Sequence, residues 1–185
     1  MKSAFVGLVL VGATVIDPPT FRVDQGDVRV VCRMTVGGSF EAKTTAISGS
    51  MTARASGSRG YDGSVSVDLR SLDTGISLRN EHLRENYLEV NKGPGFDTAT
   101  LSGIDLNGFN PDAPEGKGSF TGLLTLHGVT KAVTGTVDVR QAGGGLHVQA
   151  SFPVDVLDYR ISKPRYMGIG VKDTVEVEVA FSVAR

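Results

Sequence analysis

Few residues in this chain are equipped to do chemistry. They are three histidines, His82, His127 and His147, and one cysteine, Cys32. A zinc site usually needs about three or four ligands from His, Cys or carboxylate, and no two of these histidines show a paired spacing such as H-x-x-x-H. With a single cysteine, an intrachain disulfide and a multi-cysteine metal site are both excluded. Cys32 lies in the apolar pattern VRVVCRMTV and reads as a small core residue. No G-x-S-x-G elbow surrounds a serine, and the SGS at 48–50 sits among strand-like residues. Glu176 and Glu178 share one face, but that face reads as solvated. The G-x-G of MGIGVKD, residues 167–173, opens a strand rather than a helix, so it fits neither a dinucleotide site nor a P-loop. No cofactor site emerges.

His127 is the residue on which an enzymatic reading would turn. It sits in LTLHGVTKAV, where an apolar strand breaks at a glycine. Leu124 and Leu126 point one way, Gly128 permits a turn, and Val133, Val137 and Val139 resume a partner strand. A glycine-containing connection of four residues is ordinary hairpin chemistry. The spacing therefore predicts a corner residue that hydrogen-bonds across the turn, with Thr130 or Lys131 satisfying nearby carbonyls. Two polar groups remain to be placed. Asp155, Asp158 and Tyr159 would have to converge inside the fold to serve an enzyme acting on an apolar substrate. Arg160, Lys163 and Arg165, interleaved with Tyr159 and Tyr166, offer a basic cluster for a lipid headgroup, although a solvated loop accounts for them more simply.

The elements that must position these residues are strands. Alternation at every second position marks Val28 to Val36, then Val65, Val67 and Leu69, and then Leu146 to Val156. It is clearest at Val175, Val177, Val179, Phe181 and Val183. Glycine is abundant, with 24 residues, and turn signals such as Gly37-Gly38 and Gly143-Gly144-Gly145 separate the strands. One segment argues for helix: Ile76, Leu83 and Tyr87 share a helical face, with Ser77 as a candidate cap. Residues 103–118 read as a loop or strand bend. About eight strands and one helix imply a sandwich or a barrel, between which composition does not choose.

At 185 residues the chain suits one domain, and a net charge of −1 from 19 basic and 20 acidic residues offers no footprint for nucleic acid. The N-terminus places one lysine before the apolar run Ala4 to Ile16, shorter than the roughly 20 residues of a membrane span. Residues 1–13 fit a secretory signal peptide, with cleavage after Ala13. The alternative is a buried first strand.

Four stretches carry a resemblance to a known family: SVDLRSLDTGISLRNEHLRENYLEV, GFDTATLSG, GLLTLHGVTKAVTGTVDV and LDYRISKPRYMGIGVKDTVEVEVAF. Together they resemble the YceI-like family over roughly residues 20–183. The resemblance implies an all-β, eight-stranded antiparallel barrel of lipocalin type with one short helix between strands, over 20–185. It also implies export to the periplasm or beyond, a polyisoprenoid-like lipid held inside, transient membrane contact and no catalytic constellation. Alternation then assigns the lining: Val65, Val67, Leu69, Leu124, Leu126, Val148, Ala150, Phe152, Val175, Val177, Val179 and Phe181. A one-residue slip would turn them all outward. Two rival expectations stay open: an interaction barrel filled by its own side chains, and an enzyme on an apolar substrate.

Overall fold

The computed structural model describes residues 18–54, 60–109, 115–163, 165–166 and 169–184. The proposed signal segment 1–13 lies outside them. Ten strands form one antiparallel sheet: β1 (Thr20–Val23), β2 (Gly26–Arg33), β3 (Ser39–Thr44), β4 (Ile47–Ala53), β5 (Gly60–Asp68), β6 (Thr98–Asn107), β7 (Gly116–Leu126), β8 (Val129–Ala142), β9 (Gly145–Asp155) and β12 (Thr174–Ala184). Their order is β1-β4-β5-β6-β7-β8-β9-β12-β2-β3, and a separate two-stranded hairpin joins β10 (Arg165–Tyr166) to β11 (Ile169–Gly170). The sheet curls on itself, so that β1 lies against β12 and β2 against β4. This is the lipocalin-like, all-β architecture, with more strands than the eight the alternation implied.

The additional strands have local causes. Residues 103–118 are not one loop: β6 continues to Asn107 and β7 starts at Gly116. A register shift between Ser102 and Asp105 lets β6 bend there, and Gly103 takes a left-handed φ of 56° within it. At its other end β2 stops at Arg33, short of the alternation that runs to Val36. Gly37 and Gly38 both have positive φ and turn the chain into β3, which leaves Val36 65% exposed.

The helical segment departs from the expected amphipathic helix. α1 (Ser77–His82) passes into a wider π turn over Leu83–Tyr87, and neither contains a buried residue. Ser77 does not cap it. Ile76 occupies the cap position without a side-chain hydrogen bond, and it is 49% exposed rather than turned inward. Asn80 ties the start instead: its Oδ1 accepts from the Thr74 backbone N–H and hydroxyl, and its Nδ2 donates to Asp73.

Candidate functional site: an apolar interior

The inward faces of the strands enclose a cavity of about 280 Å³. Its wall is made of Val, Leu, Ile, Phe, Ala and Met side chains with Cys32 and Tyr61, and no charged residue contributes. The twelve residues assigned to the interior all line it. Val65, Leu69, Leu124, Leu126, Phe152, Val175 and Phe181 are buried, while Val67, Val148, Ala150, Val177 and Val179 are half-buried. They share one face because the ladders hold them in register: Val177 stands opposite Phe152 on β9 and Val30 on β2, and Val65 opposite Leu101 on β6.

Much of the wall went unassigned from sequence. Phe40 and Ala42 come from β3, Ile47 and Met51 from β4, Leu101 and Leu106 from β6, and Phe120 from β7. These strands are short or interrupted by glycine, and the only signal was a brief alternation such as Phe40, Ala42, Thr44. Phe120 and Phe152 meet edge to face at 5.6 Å between ring centroids. Gly135 makes room for them, since a Cβ there would stand 2.6 Å from Phe120 and 2.7 Å from Phe152. Cys32 faces this apolar space, and burial pushes its thiol up to about 11.

His127 stands outside the cavity wall. The turn between β7 and β8 is two residues long, not four. His127 and Gly128 take φ values of 52° and 71°, the all-positive signature of a type I′ hairpin whose twist matches its strands. This backbone buries the imidazole, which is 8% exposed. Its Nδ1 lies 3.0 Å from the Tyr159 carbonyl oxygen and its Nε2 2.9 Å from Glu89 Oε2. Each ring nitrogen thus has an oxygen partner. Phe96 packs edge-on against it at 4.7 Å. Lys92 first, and His127 after it, hold the Glu89 carboxyl below the usual range. Thr130 bonds to Thr125 and Lys131 pairs with Asp158, so neither serves a turn carbonyl as expected. The three non-glycine residues with positive φ among those described, Glu89, His127 and Arg160, all belong to this junction or adjoin it. His127 thus clamps three segments remote in sequence.

The other candidates do not converge. Asp155 accepts from the Leu157 backbone N–H and caps the 3-10 turn Val156–Tyr159. Asp158 is exposed, and the Tyr159 hydroxyl is buried without a hydrogen-bond partner among the described residues. Lys163 pairs with Asp173, Arg160 is exposed, and the side chains of Arg165 and Tyr166 lie outside what the structure describes. Glu176 accepts from Ser151, and Glu178 accepts from Arg29 at 2.7 Å. No group of three or more His, Cys, Asp or Glu among the described residues could hold a metal.

A lipocalin-like sheet around a wholly apolar interior fits what comparison with known proteins finds. The model of the YceI-like domain matches residues 16–183. The chain belongs to the YceI-like family. Among curated relatives, a UPF0312 protein of Vibrio vulnificus (strain YJ016) is 38% identical over 80 residues, covering 43% of this chain and 39% of the relative. The chain thus spans about two fifths of the curated relatives it matches. Among solved structures, Burkholderia cenocepacia BcnA aligns with a TM-score of 0.68 at 20% identity, covering 86% of this chain and 96% of BcnA. A polyisoprenoid binding domain from Saccharophagus degradans, implicated in plant cell wall breakdown, aligns with a TM-score of 0.64 at 17% identity, covering 89% and 97%. At these identities the YceI-like structures speak to the shared fold.

Proposed function

We propose that this YceI-like protein is a binding protein, not an enzyme, and that it holds a long apolar chain, an isoprenoid-like lipid, inside its curled sheet. One observation carries the reading: the interior is open, and its wall offers no charge to a ligand. Apolar surface removed from water contributes roughly 25 cal/mol per Å², so a hydrocarbon tail is held there without any directed polar contact. The description of the Saccharophagus degradans relative as a polyisoprenoid binding domain supports the same class of ligand. An interior filled by its own side chains would leave no such space. An enzyme would need polar groups converging on the cavity, whereas Asp155, Asp158 and Tyr159 are absent from its wall. The apolar run from Ala4 to Ile16 supports export to the periplasm or beyond.

Native mass spectrometry of the purified protein, followed by organic extraction, tests the binding. The expected result is a long-chain apolar molecule released on unfolding. Protein that is ligand-free from several hosts and takes up no added prenyl lipid would refute the reading. N-terminal sequencing of the protein recovered from cell fractions tests export, with cleavage after Ala13 expected.

A further inference from the structure

One end of the curled sheet is built unlike the rest of the surface. The β2–β3 turn, α1 and its π turn, the 3-10 turn Val156–Tyr159 and the stretch from β11 to β12 all gather there. Backbone bonds join Thr35 N–H to the Gly170 carbonyl, Lys172 N–H to the Arg33 carbonyl and Val156 N–H to the Asp173 carbonyl, and the Arg79 guanidinium lies 4.5 Å above the Phe40 ring. Of the five large apolar side chains that stand exposed among the described residues, four belong to this rim: Val36, Ile76, Leu78 and Leu157. The fifth, Leu123, lies within β7.

These four are 49–65% exposed, at the end of the sheet where Leu83 of the π turn contributes to the cavity wall. Scattered single apolar residues need no explanation, but several gathered at one end of the molecule mark an interaction surface. At this end α1 and its π turn lie over the core through half-buried Leu83 and Tyr87.

Among the described residues, one side of the rim carries basic side chains without acidic partners. Arg33, Arg160 and Lys172 are exposed and have no acidic partner among the described residues, beside Val36 and Leu157. The acids on that side are engaged, Asp158 with Lys131, Asp173 with Lys163 and Asp155 as a cap. On the helical side the exposed Glu81 and Glu85 are balanced by Arg79 and Arg84 of the same segment.

We infer that this rim docks on an anionic bilayer surface, led by Val36, Leu157 and the three free cations, and that the apolar chain passes between membrane and cavity at this end. Apolar prongs with adjacent cations suit a headgroup layer, where each nearby basic residue contributes about 1 kcal/mol, roughly a fivefold change in partitioning. The inference rests on the binding reading above, and its test separates the two.

Flotation of the purified protein with vesicles of phosphatidylcholine alone, or mixed with phosphatidylglycerol, supplies the readout. Binding is expected to the anionic vesicles and to fall with added salt. The double variant Arg160→Gln/Lys172→Gln should weaken it more than tenfold, and Val36→Ser/Leu157→Ser should weaken it at all salt concentrations. Leu123→Ser should leave it unchanged. Absence of vesicle binding by protein that does contain an apolar molecule overturns the docking surface and spares the binding reading. Vesicle binding by protein that never contains one does the reverse. Equal loss from Leu123→Ser, or a dimer in light scattering that the Val36→Ser/Leu157→Ser change converts to monomer, also overturns it, the latter by assigning the rim to a second copy of the chain.

Discussion

At the scale of single residues, His127 and Cys32 show how place decides chemistry. The imidazole has the right type for catalysis, but both nitrogens are committed, to Tyr159 and to Glu89. Replacing it with alanine removes two hydrogen bonds, one to a carboxylate, and forces a non-glycine residue to hold φ 52° without compensation. The expected cost is about 2–4 kcal/mol in denaturant unfolding, with any bound lipid retained by the molecules that fold. His127→Asn, which tolerates the left-handed backbone, should recover about 1 kcal/mol of that, and equal losses from the two would mean the backbone plays no part. Cys32 makes the converse case. With its thiol pushed up to about 11 by burial, alkylation by iodoacetamide should be slow at pH 8 and accelerate only toward pH 11, because the thiolate is the nucleophile. Rapid labelling at neutral pH would show that the cavity wall opens to water.

At the scale of elements, alternation revealed the regular strands and hid the short or interrupted ones. The faces of β5, β7, β9 and β12 were legible because apolar residues recur at every second position in each of them. β3, β4 and β6 were not, since β3 is only six residues long, Gly49 and Gly103 interrupt the other two, and their partners are fixed by the ladder, not by their own residues. The junction of Glu89, His127 and Tyr159 was invisible for a different reason: residues 32 and 38 positions apart in sequence meet only once the sheet has curled. The strand pattern itself can be tested. Val177 lies on the wall between Phe152 and Val30, so Val177→Asp places a carboxyl in an apolar space where it stays protonated. Its folded pKa is then raised above the unfolded one, so the penalty should be small at low pH and grow as pH rises through the unfolded value. A penalty independent of pH, measured against the parent protein, would mean that the side chain reaches solvent.

At the scale of the whole molecule, polar and apolar interactions are divided between the two faces of one sheet. The outer face carries ion pairs, among them Arg29 with Glu41 and Glu178 across the strands, and Lys43 with Glu41 along β3 at 2.8 Å. Arg29 and then Lys43 lower the Glu41 carboxyl to about 2. A depressed carboxylate stabilises the fold above its ordinary value of 4.5, and that contribution is lost as pH falls from there toward about 2. The melting temperature should therefore fall as pH drops over this window, and Glu41→Gln should flatten the fall; an unchanged slope would place the acid sensitivity elsewhere. The inner face, having no charge at all, has the opposite character. A wall of hydrocarbon, with one thiol, one thioether and one phenol, measures a guest by girth and length and is indifferent to the chemistry of its head. Calorimetric titration with prenyl alcohols of increasing length should show a negative heat-capacity change that deepens with each added isoprene unit. The affinity should hardly vary with salt, and the series should end abruptly at the length where the tail no longer fits.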